Sequence, residues 1–216
     1  MTRVAVVLSG CGVFDGAEIH ESVATLIKLD EKGAEVQCFA PNVNQMHVIN
    51  HLTGEETTET RNVLVESARI ARGKIKDLRE ANAEEFDALI VPGGFGAAKN
   101  LSDFAVKGAE VTVQEDFLKF AQAMHNAGKP IGLICISPAL SAKICGAGVT
   151  CTIGNDVDTA AAVEGTGAVH QNCSVEEFCI DREHKLVTTP AYMLAGRIGE
   201  AVAGINKLVD EVLAMA

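Results

Sequence analysis

The sequence has no tryptophan, a single tyrosine and only five prolines, and aromatic residues fill just 4% of its 216 positions. It also lacks a long apolar run, since none approaches the roughly 18 residues that a membrane-spanning helix needs. With 48% hydrophobic and 22% charged residues, the composition is that of an ordinary globular protein. No linker, repeat or low-complexity segment interrupts the chain, so we expect a single domain over residues 1–216 and no membrane association.

Basic residues are scarce relative to acidic ones, with 18 Lys and Arg against 29 Asp and Glu, a net charge of −11. Phosphate backbones and anionic lipids bind basic surfaces, so this charge disfavours nucleic acid and membrane as partners. The apolar segment after Met1-Thr2-Arg3 is too short for a signal peptide, which predicts a cytoplasmic location. The seven cysteines form no C-x-x-C pair. They are interpreted as free thiols, with no structural metal.

Apolar periodicity predicts alternating strands and helices. The apolar strands do not alternate with polar residues, which indicates a mostly parallel sheet covered by helices on both faces, an α/β fold. The segment 151–169 is interpreted as irregular or mixed. The predicted strands are 4–8, 36–40, 89–91, 131–134, 178–181 and 185–187, and the predicted helices are 18–32, 60–71, 113–127 and 192–215.

Cys135 is the most informative residue. It ends the apolar run Pro130 to Ile134 and precedes Ser137-Pro138, where a helix is expected to open. A cysteine on such a sharp strand-to-helix turn is predicted to be exposed and to favour its thiolate, the nucleophilic form. The alternative is a buried core cysteine, the usual fate of a free thiol.

Further residues are predicted at the same edge of the sheet, because ligands of parallel sheets bind at the carboxyl ends of strands. Backbone N–H groups of Gly93, Gly94 and Ile136 are expected to form an oxyanion hole. Glu18 is expected to place a carboxyl beside the sulfur and to move protons. Cys11 and His170 are predicted in supporting roles.

The first glycine-rich turn, residues 10–16, follows a strand and precedes a helix, as a dinucleotide-binding fingerprint would. Its spacing is one residue longer than the standard form, and the second strand ends at Cys38-Phe39-Ala40-Pro41 without an acid for a ribose. We therefore expect no bound cofactor.

The chain resembles the class I glutamine-amidotransferase-like superfamily, within it the branch of deglycase and intracellular-protease-like proteins, and most narrowly the ElbB-like subfamily of isoprenoid biosynthesis proteins. The resemblance covers essentially the whole chain. It rests on residues 8–13, 16–18, 50–55, 91–101, 134–139 and 188–193.

The resemblance implies a flavodoxin-like three-layer sandwich, a homodimer, and a reactive cysteine at Cys135 with an acid at Glu18. It also implies a cofactor-independent glyoxalase that converts glyoxal, with methylglyoxal as a second substrate, to the 2-hydroxy acid, together with an apparent deglycase activity. Two features depart from it. The late segment 188–194 lacks the His-x-Glu of true amidotransferases, and residues 153–156 lack the histidine of the deglycase branch.

Three functions follow from this sequence. The first is a glyoxalase in which Cys135 forms a hemithioacetal with a small dicarbonyl substrate. The second is a non-enzymatic redox-sensing or partner-binding protein with an oxidisable Cys135. The third is a glutaminase subunit, which the missing His-x-Glu disfavours.

Overall fold

A seven-stranded sheet forms the centre of the protein. The computed structural model describes all residues from Met1 to Ala216. The strand order is β3-β2-β1-β4-β5-β9-β8, and every neighbouring pair is parallel except β8 and β9. The strands are β1 (Arg3–Val7), β2 (Glu35–Ala40), β3 (Ile75–Asp77), β4 (Ala88–Val91), β5 (Ile131–Ile134), β8 (Cys179–Asp181) and β9 (Leu186–Thr189), and β6 (Thr150–Cys151) pairs with β7 (Val169–His170) in a separate small sheet.

Helices cover both faces of the main sheet. One hydrophobic core of 28 buried residues lies under α5, α6 and α7, and a second of 18 lies under α1 and α8. This arrangement is the α/β fold that the apolar pattern predicts and the flavodoxin-like three-layer sandwich that the family resemblance implies. The helices are α1 (Ile19–Glu31), α2 (Val63–Ile70), α3 (Phe95–Lys99), α4 (Phe104–Lys107), α5 (Glu115–Asn126), α6 (Ser141–Cys145), α7 (Val157–Gly165) and α8 (Ile198–Met215).

The central strands are buried along their whole length, as expected for a parallel sheet covered on both faces. Every residue of β4, β5 and β9 is buried. Because these strands run parallel to one another and to β1, their carboxyl ends meet at one edge of the sheet. The loops after β1, β4, β5 and β9 come together there. None of the helices combines the length and apolarity needed to cross a bilayer.

The structure corrects several predicted elements. Residues 192–197 do not belong to the last helix: a 3₁₀ turn covers Ala191–Met193, and α8 begins only at Ile198. The segment 151–169, interpreted as irregular or mixed, contains α7, whose alanine-rich sequence carries no clear apolar stripe. The short strand β3 was not predicted, because three residues give too little periodicity to recognise.

Candidate active site

Cys135 lies at the bend between β5 and the following turn. Its backbone has φ +64°, a left-handed conformation that is rare for a residue with a side chain. A 3₁₀ turn, Ser137–Leu140, follows and leads into the short helix α6. The Ser137 hydroxyl donates a hydrogen bond to the Pro92 carbonyl at 2.8 Å, which fastens the bend to the loop after β4.

The carboxyl group that reaches the Cys135 thiol is that of Glu21. Glu21 is fully buried, and its carboxyl lies close enough to the thiol that each group shifts the pKa of the other. One of its oxygens accepts the Gly93 N–H at 2.9 Å, and the other accepts the Tyr192 N–H at 3.3 Å. Three loops of the sheet edge therefore meet on a single carboxyl group.

Glu18, which the sequence predicted beside the sulfur, serves a different contact. It is the N-cap residue of α1, and its carboxylate accepts the Glu21 N–H at 2.7 Å. The Glu18 N–H donates to the Gly93 carbonyl at 3.0 Å. Glu18 thus anchors the start of α1 to the loop after β4 and lies next to Glu21, while Glu21 takes the position beside Cys135.

Burial, together with the negative charge of Glu18, raises the pKa of Glu21 to about 8. Glu21 is therefore protonated at neutral pH. Burial also raises the pKa of Cys135 well above its usual range, and an ionised Glu21 adds to that effect. Cys135 is only 7% exposed as a residue, so the bend does not produce the exposed thiolate that was predicted.

Two backbone N–H groups favour the charged form of the sulfur. They belong to Gly94 and Ile136, and both interact with the Cys135 side chain. The third predicted donor, Gly93, has its N–H occupied by Glu21. Of the predicted oxyanion donors, Gly94 and Ile136 thus lie near enough to the sulfur to lower its pKa, whereas Gly93 donates its N–H to the Glu21 carboxyl group.

Gly93 has no room for a side chain. A Cβ there would overlap the Cβ of Cys135 and would come within 2.7 Å of the Ile134 carbonyl oxygen and 2.8 Å of a Glu21 carboxyl oxygen. Because the backbone of Gly93 lies directly against Cys135 and Glu21, only glycine at this position allows the thiol and the carboxyl group to pack closely.

The two predicted supporting residues lie apart from the cavity that Cys135 lines. The ring of His170, on β7, accepts the Ile153 N–H at 3.1 Å through Nε2. Cys11 is half-buried near Glu66 and Arg69, and burial raises the pKa of its thiol. Neither residue lines the cavity. No group of three or more His, Cys, Asp or Glu side chains is arranged to hold a metal ion.

Sequence reasoning missed Glu21 and Tyr192. The Tyr192 side chain lines the cavity, and its hydroxyl oxygen lies 2.7 Å from Nδ1 of His20. A signal for Glu21 was present: Glu18, Glu21, Ser22 and Thr25 form a polar stripe at helical spacing, and all four are buried.

A curated relative resembles almost the entire chain. It is the human "Glutamine amidotransferase-like class 1 domain-containing protein 3, mitochondrial", 50% identical over 221 aligned positions that cover 98% of this chain and 82% of the relative. Its name places it in mitochondria, so the predicted cytoplasmic location is contradicted.

Two solved structures share the fold. An isoprenoid biosynthesis protein with an amidotransferase-like domain from Ehrlichia chaffeensis is 36% identical, with a TM-score of 0.94 over 100% of this chain and 99% of the other. A glyoxalase III from Candida albicans is 13% identical, with a TM-score of 0.64 over 99% and 97% of the two chains, a likeness of fold alone.

The model of the DJ-1/PfpI family matches residues 4–191. That range includes β1, α1, the loop after β4 and the bend at Cys135, so it contains the thiol, its acid and both sulfur-directed N–H donors. The chain belongs to the DJ-1/PfpI family.

Proposed function

We propose that this protein is a cofactor-independent glyoxalase of the ElbB-like branch, converting glyoxal or methylglyoxal to the 2-hydroxy acid. The observation that carries the proposal is the contact between the Cys135 thiol and the buried carboxyl of Glu21. A nucleophile beside an acid with a pKa near the working pH is the pairing that acid–base catalysis at a carbonyl requires. The apparent deglycase activity implied by the resemblance would follow if adducts slowly release free dicarbonyl, which the glyoxalase then consumes.

In the reactive form the pair holds one proton, on Glu21, and the sulfur is a thiolate. The first proton leaves the pair near the pKa of about 8 of Glu21, and the reactive form arises when the Cys135 thiol passes its own proton to the Glu21 carboxylate. With Glu21 neutral, its charge no longer opposes the thiolate, and the N–H groups of Gly94 and Ile136 stabilise it.

The chemistry is an internal redox reaction followed by hydrolysis. The thiolate bonds to the aldehyde carbon, and the oxygen of that carbon takes the proton of Glu21, giving a hemithioacetal. Glu21, now ionised, removes the hydrogen of the same carbon to give an enediolate. After the hydroxyl proton shifts between the two oxygens, Glu21 returns its proton to the second carbon, which leaves a thioester. Water then hydrolyses the thioester, releasing glycolate and regenerating the sulfur.

Proton NMR of glyoxal solutions in D₂O tests both the activity and the proton path. We expect glycolate to accumulate and to carry deuterium on its second carbon, because Glu21 exchanges its proton with solvent. A direct hydride shift between the carbons would leave that position free of deuterium and would contradict the role of Glu21.

Cys135→Ser and Glu21→Gln are expected to lower glycolate formation by at least about a hundredfold, the usual scale for losing a nucleophile or an acid–base group. Cys173→Ser is the matched control, since Cys173 is a half-buried free thiol elsewhere in the fold. Unchanged glycolate formation in Cys135→Ser would overturn the proposal.

The redox-sensing alternative depends on the same Cys135 thiolate, and peptide mass spectrometry after mild peroxide tests it: Cys135 left unmodified while other thiols oxidise would count against it. The glutaminase alternative is disfavoured, because the late segment places Tyr192 and Met193 at the cavity and has no histidine of the kind that glutaminase chemistry uses.

The homodimer stays a prediction. Sedimentation equilibrium would test it, since a dimer has a mass near twice 22.7 kDa.

A further inference from the structure

The cavity that opens onto Cys135 is large and mostly apolar. Its volume is about 640 Å³. Pockets of roughly 300 to 1,000 Å³ enclose ligands of drug size, whereas glyoxal is the smallest dicarbonyl. Glyoxal bound at the sulfur would leave most of this volume unfilled. The side chains that give the cavity its apolar character include those of Phe95, Phe104, Ile136, Ala162 and Met193.

One aromatic side chain that lines the cavity also reaches solvent. Phe95 is 46% exposed and forms part of the cavity wall. Removing an apolar ligand group from water is favourable, so an apolar substituent gains free energy by entering this cavity.

The charges around the cavity disfavour anions. No Lys, Arg or His lines it, and Asp158 contributes a carboxylate. The nearby Lys99 amine donates a hydrogen bond to the Phe14 carbonyl at 2.9 Å and lies over the Phe95 ring. At the start of α7, the Thr159 N–H is already bonded to the Asp156 carboxylate at 2.8 Å.

From this geometry we infer that the preferred substrates are 2-oxoaldehydes bearing a neutral, apolar substituent of aryl or branched-alkyl size. The aldehyde carbon bonds to Cys135 while the substituent fills the cavity between α4, α7 and the turn at Met193. This inference rests on the proposed function. The reaction is the one described above: the aldehyde carbon becomes the carboxylate, the ketone carbon becomes the alcohol, and water is the only co-reactant.

Turnover of phenylglyoxal to mandelate, measured against glyoxal to glycolate, tests the inference. We expect kcat/KM for phenylglyoxal to be at least about tenfold higher, the scale of discrimination that an apolar pocket achieves. Ala162→Leu, which adds bulk inside the cavity, should lower that ratio by about tenfold, chiefly through KM. Ala161→Leu is the matched control, since Ala161 is an exposed neighbour on α7 that does not line the cavity.

The exclusion of anionic substituents from the cavity is tested with a charged substrate and a pair of variants. 4-Carboxyphenylglyoxal, an anionic analogue of phenylglyoxal, should react more slowly than phenylglyoxal with the wild-type protein. Asp158→Asn should narrow this difference, whereas Glu164→Gln, an exposed acid on the same helix, should not. Equal rates for the two aryl substrates in the wild-type protein would overturn the exclusion of anions.

Alkylation separates this inference from the proposed function, because it needs no turnover. Phenacyl bromide and bromoacetone both lose bromide to a thiolate, and peptide mass spectrometry locates the adduct at Cys135. Relative to their rates with N-acetylcysteine, phenacyl bromide should label Cys135 about tenfold faster, and Ala162→Leu should remove the advantage. Preferential labelling with neither glycolate nor mandelate formed would end the glyoxalase proposal and support the cavity assignment. Glycolate formation with no aryl preference in either assay would do the reverse.

Discussion

Glu21 concentrates the chemistry of the site in one side chain. Both of its oxygens are hydrogen-bonded, and its neighbours are a thiol, a second acid and two backbone N–H groups. A fully buried carboxyl group resists ionisation, because water no longer stabilises its charge. The same burial that makes Glu21 a proton carrier at neutral pH therefore also links the stability of the fold to pH.

That link gives a prediction with a definite sign. The pKa of Glu21 is about 8 in the folded protein against 4.5 for an ordinary glutamate. Between these pH values the unfolded chain loses the proton while the folded protein keeps it, so the free energy of unfolding falls as pH rises. At about 1.4 kcal/mol per pH unit, the loss attributable to Glu21 is several kcal/mol by pH 8.

Urea denaturation at pH 5 and pH 8 measures this loss. Glu21→Gln should abolish most of this decline in the free energy of unfolding. It should also lower the free energy of unfolding at pH 5 by about 1–3 kcal/mol, because the NH₂ of glutamine faces one of the two backbone N–H donors and leaves that donor without an acceptor. Glu31→Gln, an exposed substitution on the same helix, should keep the wild-type decline. A decline of wild-type size in Glu21→Gln would mean that other groups cause it.

Gly93 sets the second prediction at this scale. Gly93→Ala forces a Cβ into the Cys135 and Glu21 side chains, and overpacking of this kind costs about 1–3 kcal/mol. We expect a lower Tm and loss of glycolate formation together. Gly199→Ala, in α8 with open space around it, should leave Tm unchanged or raise it slightly. An active, fully stable Gly93→Ala protein would show that the thiol and the acid can separate without cost.

Helix α1 shows how an element can mislead. Its apolar residues Ile19, Val23 and Ile27 have regular helical spacing, which predicts that they face the core, yet they are 42%, 40% and 54% exposed. The buried face instead carries Glu21, Ser22, Ala24, Thr25 and Leu29. The polar residues of that face are satisfied locally: the Ser22 and Thr25 hydroxyls donate to the carbonyls of Glu18 and Glu21 at 2.7 and 2.8 Å. Hydrophobicity alone therefore selects the wrong face here, because the site requires polar groups inside.

The first turn of α1 provides a prediction for an element rather than a residue. Glu18→Gln keeps an oxygen to cap the Glu21 N–H but removes the charge that raises the pKa of Glu21. Stability should change little. The rise of kcat/KM with pH, expected near pH 8 in the wild-type protein, should move roughly one pH unit lower. The Glu31→Gln control should keep the wild-type profile, and an unshifted profile in Glu18→Gln would contradict the electrostatic role of the cap.

At the scale of the whole molecule, alternation of apolar strands with helices was enough to predict the parallel sheet and its two covered faces. It also predicted that the segments after β1, β4 and β5 meet at one edge, which brought Cys135 and Gly93 together correctly. The alternation of strands and helices did not predict how the side chains at that edge of the sheet are oriented. Glu18 and Glu21 lie one helical turn apart, and the choice between them depends on how α1 is rotated, which the N-cap and the Gly93 contact decide. The subcellular location could not be predicted either, because the amino-acid composition does not reveal in which compartment the protein resides.

The net charge of −11 is expected to repel anionic reagents that approach the cavity. Iodoacetate and iodoacetamide alkylate thiols by the same displacement but differ in charge. The surrounding acids, Asp158 among them, should slow iodoacetate at Cys135 beyond its ordinary disadvantage. Salt shortens the range of this repulsion, from about 30 Å at 0.01 M to about 3 Å at 1 M. Raising the salt concentration over that range should therefore accelerate labelling by iodoacetate several-fold more than labelling by iodoacetamide, as followed by peptide mass spectrometry at Cys135. An equal response of the two reagents would contradict the repulsion of the anionic reagent, because a change in cavity access or in the thiolate fraction affects both reagents alike.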